Sequence, residues 1–392
     1  MNEPVILSAC RTPIGSFRGS LSALPAPRLG AVAVGEALRR ANISADRVDE
    51  VIMGNVLSAG VGQAPARQAA IFAGLPPSVQ CLTVNKVCGS GLKAVMLAAQ
   101  AIALGDADIV VAGGMESMSN APYLLEKARD GYRMGNGELV DAMLKDGLTD
   151  VYNQQAMGCA ADQCARSMSI TRNEQDAFAI LSYTRAQESQ ATGRFQKEIV
   201  PVEIPNPKGA PMVVDVDEDV QRTVFAKIPQ LKAVFSKDGT VTAANSSKIS
   251  DGAAAVVVTS QKTAQHLGVK PLARIVAQAS HAKEPFQFTT APAEAIERVL
   301  MKSELSLSAI DLFEINEAFA VVTLAAMKTL DIPVDRVNVH GGAIAMGHPI
   351  GASGTRILVT LLHAMEQRDA HYGLATLCIG GGEASALVVE RT

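Results

Sequence analysis

The 392-residue chain has no tryptophan, and only 4% of its residues are aromatic. Ala, Val, Ile and Leu must therefore fill the interior. The run from Ala253 to Val258 shows the style, small and β-branched, suited to a strand buried on both faces. No uninterrupted apolar run approaches about 18 residues, so no membrane span is expected. The six cysteines, Cys10, Cys81, Cys88, Cys159, Cys164 and Cys378, form no Cys-x-x-Cys pair. No leader pattern precedes the strand-like run that ends at Cys10. A reducing, cytoplasmic setting is expected rather than a disulfide framework. Also missing are a P-loop, a Gly-x-Gly-x-x-Gly fingerprint and a His-Glu-x-x-His pair, and no cysteine–histidine cluster suggests a metal site. The net charge of −4 gives no basic groove for nucleic acid, although a local basic patch could still hold an anion.

What is present is a repeat. In the first half a helical stretch, Ala31–Arg40, leads to the strand-like Val48–Met53. A Gly-rich turn follows at Cys88–Gly91, then a helix from Leu92 to Leu104 and a strand ending at Gly113-Gly114. The second half keeps this order: helix Ala293–Lys302, strand Ile310–Ile315, turn Gly351–Gly354, helix Thr355–Gln367, strand Gly373–Leu377, then Gly380–Gly382. Strands opening at Val5 and Ala273 complete the match. The alternation predicts mostly parallel α/β sheets, in two similar halves related by a pseudo-twofold axis. The expected halves are 1–118, completed by about 249–270, and 271–392.

Between them lies an insertion, 119–248, richer in charge, Met, Asn, Gln and Pro. Pro201, Pro205, Pro207 and Pro211 mark irregular backbone. Thr171 followed by Glu174 reads as the capping box of a helix running to Thr192. An insertion of this length suits a substrate-covering subdomain better than a linker.

Four clusters carry candidate chemistry. Cys88 lies at a strand-to-helix turn, where the positive end of a helix dipole favours a thiolate; the alternative is a buried structural cysteine. His348 lies in the Gly-rich segment Gly341–Gly354, before the helix that mirrors the one behind Cys88. The pseudo-twofold would bring the two helix starts together and make a nucleophile–base pair. Cys378, in Cys-Ile-Gly-Gly-Gly382, ends a strand whose N–H groups could face an oxyanion; the alternative is a cysteine capping that strand. Glu314–Phe319 also ends a strand, where open α/β sheets gather ligands; a buried polar network is its rival.

Taken together, Asn85–Gly91, Asn316–Phe319, Gly347–Gly354 and Cys378–Gly382 resemble the four signature blocks of the thiolases, and the likeness runs from Val5 to Glu390. The resemblance implies layered α-β-α-β-α duplicated domains and reversible acyl transfer between coenzyme A thioesters. It implies Cys88 as nucleophile, His348 as its activator, and Asn316 helping His348 hold one oxyanion. Cys378 would move the α-proton, and the N–H groups of Cys88 and Gly380 would form a second oxyanion hole. Leu148, Met157, Phe235 and Ser247 would line the pantetheine tunnel, with Ala318 and Phe319 below. Arg222, Lys227 and Lys232 are candidates for the CoA phosphates, against the plainer reading of a solvated charged stretch. No metal or redox cofactor is implied, and a homo-oligomer, dimer or tetramer, is expected.

The wording is closest to thiolases acting on acetoacetyl-CoA, with three departures. Ala156 stands where those enzymes usually carry His, which opens space for longer chains. Val220 stands where a tyrosine helps bind potassium, which argues against potassium activation. Glu383 occupies a position that is often small. A degradative 3-ketoacyl-CoA thiolase is the alternative. A ketosynthase or a non-catalytic acyl-CoA carrier fits less well, because neither has a use for both Cys88 and Cys378.

Overall fold

The computed structural model describes residues 2–206 and 209–392; Pro207 lies outside them. Nine strands form the main ladder: β1 (Pro4–Arg11), β2 (Glu50–Gly54), β3 (Gln80–Val84), β4 (Ile109–Ser117), β5 (Ser250–Ser260), β6 (Ala273–Ala282), β7 (Leu312–Ile315), β8 (Tyr372–Ile379) and β9 (Glu383–Arg391). Their order is β7-β8-β9-β6-β1-β5-β4-β2-β3, with Gly15–Ser16 added beside β5. Among the described residues, the strands of the two halves pair only where β1 meets β6, at Val5↔Arg274 and Ile6↔Ala273.

The helices are α1 (Ala26–Ala41), α2 (Pro65–Phe72), α3 (Ser90–Leu104), α4 (Met157–Ser167), α5 (Arg172–Ala191), α6 (Ala291–Ser303), α7 (Ala320–Leu330) and α8 (Ser353–Arg368). Strand periodicity sets the layering. On β5, Ala253, Ala255 and Val257 enter the core under α1 and α2, whereas Ala254, Val256 and Val258 enter the core around α3 and α8. On β9, Ala384, Ala386 and Val388 face α6, whereas Leu387 and Val389 face the same central core. Two helices thus lie between two sheet halves, with helices outside each. This is the duplicated α/β arrangement the repeat predicts, in the five layers the resemblance implies.

The expectation of mostly parallel pairing fails. Only β2–β3, β2–β4 and β7–β8 are parallel; the other ladder pairs are antiparallel. Parallel neighbours need a crossover. By contrast, β5 returns from the insertion to run between β1 and β4, and β8 turns straight into β9 through Gly380–Gly382.

The segment Val87–Leu104 has a mean hydropathy of 1.6 and the length of a membrane span. It is broken by Lys93, and as α3 it packs in the central layer, with Leu92, Val95, Ala98 and Ile102 fully buried. Each fully buried Leu or Ile contributes roughly 1.5–3 kcal/mol, which accounts for an apolar helix in a core. It ends at Gly105, φ 82°, a left-handed cap.

In the insertion, α5 begins with the expected capping box: Thr171 N–H donates to Glu174 (2.6 Å), and Glu174 N–H donates to the Thr171 hydroxyl (3.2 Å). Both α4 and α5 pack on α7, so the helical part of the insertion docks on the C-terminal half, whereas Val202, Ile204 and Val214 join the N-terminal core.

Candidate active site

The turn before α3 is built by its own side chains. Asn85 Oδ1 accepts from Val87 N–H (3.0 Å), and Ser90 Oγ accepts from Lys86 N–H (2.8 Å) while donating to the Val87 carbonyl (2.6 Å). Val87 is held at φ 45°, a costly region for a β-branched residue. This strained step presents Cys88. The Gly380 N–H, from the β8–β9 hairpin, is directed at the Cys88 sulfur, and a Lys86–Glu383 ion pair ties the same turn to the same hairpin. Glu383 is thereby given a partner.

The helix start was expected to lower the Cys88 pKa. Burial instead pushes it up to about 11; hydrogen bonding from the Gly380 and Cys88 N–H groups offsets this only in part. The resting group is a thiol and needs a base.

That base arrives through two glycines. A Cβ on Gly91 would lie 2.8 Å from Thr355 N, and one on Gly354 would lie 2.3 Å from Leu92 N. Only bare backbone lets the starts of α3 and α8 cross this closely, which is the convergence the repeat predicts. Beside them the buried Glu116 accepts from Asn55 Nδ2 (2.7 Å), Val56 N–H (3.0 Å), Leu57 N–H (3.1 Å) and Gly351 N–H (2.8 Å). It clamps the loop after β2 to the loop after His348, and burial raises its pKa to about 7.

His348 is buried, and its N–H donates to the Lys248 carbonyl (3.0 Å). Its Nδ1 lies 2.6 Å from Ser353 Oγ, and Ser353 donates its hydroxyl proton to the Pro349 carbonyl (2.9 Å). A hydroxyl has one proton to give. With that proton on the Pro349 carbonyl, Nδ1 is the donor toward Ser353, which leaves Nε2 with a bare lone pair. Nε2 has no hydrogen-bond partner. Burial, reinforced by Arg356, lowers the imidazole pKa to about 3. The ring is a neutral base with its accepting nitrogen free.

Cys378, at the end of β8, is buried with Ala318, Val322, Met157 and Phe319. Burial, then the nearby Cys88 sulfur, drive its pKa well above the ordinary thiol value. Asn316, also buried, accepts from Arg356 Nη2 (3.2 Å) through Oδ1, which turns Nδ2 away as an unused donor. Cys88 itself packs with Ile350 and Leu148.

Leading to this group is a largely apolar cavity of about 670 Å³. Its walls include Leu148, Met157, Phe235, Ser247 and Phe319 from the expected tunnel, together with Ala156, Ile350, Lys248 and His348. The two sulfurs are not wall residues; Cys88, half-buried, packs with Ile350 and Leu148, and Cys378 with Met157 and Phe319. Ala318 sits beneath, against Cys378. Arg222 does not line the cavity: it binds Glu218 (2.6 Å), Asp219 (3.4 Å) and Ser16 Oγ (3.0 Å). Lys227 and Lys232 are not wall residues either. Ser353, inside the Gly347–Gly354 block, and Glu116, on β4, have no sequence signal for these roles. Their value lies in which atoms they hold, and spacing does not report that.

Comparison with known proteins gives the family. Residues 4–262 match the family model for the thiolase N-terminal domain, and residues 269–391 match that for the thiolase C-terminal domain. An acetyl-CoA acetyltransferase of Cupriavidus necator is 55% identical over 392 residues, covering all of both chains. One from Schizosaccharomyces pombe is 53% identical over 99% of each. A mitochondrial acetyl-CoA acetyltransferase of Bos taurus is 52% identical over all of this chain and 92% of its own. A crystal structure of an Ascaris suum thiolase in complex with coenzyme A superposes with a TM-score of 0.94, at 46% identity and full coverage of both chains. With both family models matched over nearly its whole length, this chain belongs to the thiolase family.

Proposed function

We propose that the chain is an acetyl-CoA acetyltransferase, joining two acetyl-CoA into acetoacetyl-CoA and CoA and running the reverse. Three observations support this: Cys88 is bonded by Gly380 and near the buried Cys378 thiol, the starts of the helices beside Cys88 and His348 cross, and the neutral His348, with Nε2 free, lines an apolar cavity.

Cys88 sulfur attacks the thioester carbonyl as its proton passes to His348 Nε2. The tetrahedral oxygen is met by the N–H groups of Cys88 and Gly380, each such donor being worth about 3 kcal/mol of barrier. The departing CoA sulfur takes the proton from His348 and leaves an acetyl thioester on Cys88. Exchange of one thioester for another is nearly balanced, so the step is reversible. In cleavage, Cys378 gives a proton to the enolate carbon of the leaving acetyl-CoA; its raised pKa keeps the thiol charged with that proton. Condensation runs the same transfer backwards. The enolate oxygen falls to the unused Asn316 Nδ2, and to His348 once Nε2 holds the proton taken from Cys88. Main-chain donors and a base supply all of this, so neither metal nor redox cofactor is called for, and Val220 argues against potassium activation.

A second reading, a 3-ketoacyl-CoA thiolase for longer chains, is favoured by Ala156, which lines the cavity with only a methyl group. We further place the enzyme in the cytoplasm, supported by its six free cysteines, and as a homo-oligomer. Exposed Tyr123, Leu125, Met134 and Leu139, clustered on one segment of the insertion, support self-association. Insertion residues in the cavity wall, such as Met157 and Phe235, support its substrate-covering role.

Thiolysis rates with CoA across 3-ketoacyl-CoAs of increasing length, with and without potassium, decide between the two readings. Fastest turnover of acetoacetyl-CoA is expected; a maximum at six or more carbons would remove the acetoacetyl preference. Cys88→Ser should gain no acetyl mass from acetyl-CoA. Cys378→Ala should acetylate but not condense.

A further inference from the structure

Among the described residues lining the cavity, Lys248 is the single cation. Its backbone carbonyl is bound to the His348 N–H (3.0 Å), which fixes its root beside the catalytic loop. Its side chain runs the other way. The ammonium donates one long hydrogen bond to the Asp219 carbonyl (3.5 Å) and stands 5.0 Å from the centre of the Tyr183 ring. Among the described residues, no carboxylate forms an ion pair with it, and Asp219 spends its own on Arg222 (3.4 Å). An ammonium carries three donors. At most one is used here, weakly, in a cavity whose apolar walls screen charge poorly. Burial, with Arg222 nearby, lowers its pKa, and Asp219 offsets this only in part.

The wall tells what the free donors meet. Asp219, which receives the ammonium, Ser16 and the half-exposed Phe17 line the same cavity as His348, Met157 and Phe319. A thioester that fills this cavity carries its phosphorylated arm past one cation of the wall, Lys248.

We propose that Lys248 binds the phosphorylated arm of the acyl-CoA and makes the site select CoA thioesters over phosphate-free ones. This rests on the acyl-transfer reading above. It adds a phosphate-reading residue inside the cavity, where Arg222, Lys227 and Lys232 do not reach.

The test compares acetylation of Cys88, followed by intact mass, from acetyl-CoA and from S-acetyl-N-acetylcysteamine, which has no phosphate. Lys248→Met should lower the selectivity for acetyl-CoA by about tenfold, the scale of one charge-assisted hydrogen bond, and Lys248→Arg should retain most of it. Equal losses on both thioesters would overturn the proposal and make Lys248 a prop for the His348 loop. Unchanged selectivity would overturn it too. Calorimetric titration with free CoA and with pantetheine needs no chemistry: Lys248→Met should weaken CoA about tenfold and pantetheine hardly at all. If the wild-type protein bound CoA through Lys248 but never acetylated, the catalytic reading would fail and this one would stand. Should Lys248→Met not fold, Lys248→Gln takes its place in both measurements.

Discussion

Replacing Ser353 with Ala tests the orientation of the base while leaving every proposed reacting group in place. Ser353 Oγ lies 2.6 Å from His348 Nδ1 and 2.9 Å from the Pro349 carbonyl to which it gives its proton. Without the hydroxyl, Nδ1–H has no acceptor, and the ring loses its reason to keep Nε2 bare. A buried donor left without a partner costs about 1–3 kcal/mol. If that penalty falls on the reactive tautomer, acetylation of Cys88 slows by about 5- to 150-fold, at 1.36 kcal/mol per tenfold. The assay is the single-turnover rate of acetyl transfer from acetyl-CoA, beside urea unfolding. Both the rate and the unfolding midpoint should fall, because the unpaired N–H also weakens the fold. Ser353→Thr, which keeps the hydroxyl, should recover much of the rate. A variant that loses stability yet acetylates at the wild-type rate would refute the tautomer argument and leave Ser353 a packing residue.

Gly354→Ala would place a methyl 2.3 Å from Leu92 N; overpacking of this kind costs about 1–3 kcal/mol or more, and calorimetry should show a lower melting temperature with acetylation also reduced. His340 and His348 have pKa values lowered by burial to about 4 and about 3. The unfolded chain therefore binds their protons first, and the stability they confer is intact above pH ~6.5 and is lost as pH falls through the folded values. His340→Gln should flatten part of that acid limb in urea titrations; an unaltered limb would discount the histidines. Glu314 has neither carboxylate oxygen hydrogen-bonded, and burial raises its pKa to about 8. A raised carboxylate contributes stability that is full below its ordinary value of 4.5 and is lost as pH rises to the folded one, so the stability of Glu314→Gln relative to wild type should grow from pH ~4.5 to pH ~8 and level off above; a difference that does not change with pH would discount the buried proton. Ala156→His should narrow the cavity and cut the six-carbon rate relative to the four-carbon rate; an unchanged ratio would take Ala156 out of chain-length choice.

The sequence disclosed the repeat because each half must bury one helix between two sheet halves, and that demand writes the same order of helix, strand and glycine twice. It disclosed Cys88, His348 and Cys378 because unusual residues in glycine-rich turns have few other reasons to be there. It misjudged strand direction, since alternating elements look alike whether a connection crosses over or, like Gly380–Gly382, folds back as a hairpin. It misjudged the resting state of Cys88 for a related reason. A helix start can be read from local sequence, but the burial that outweighs it comes from partners such as Ile350, far along the chain. Burial also turns the thiol from a ready nucleophile into one that depends on the free nitrogen of His348, and that nitrogen is free only because Ser353 has its single proton committed to Pro349. The reactivity therefore resides in a relay of hydrogen-bond directions, Pro349 to Ser353 to His348, that residue identities permit and only folding assigns. A homologue that keeps Cys88, His348 and Cys378 but has lost the acceptor at Ser353 would, on this argument, retain every signature block and still acetylate slowly.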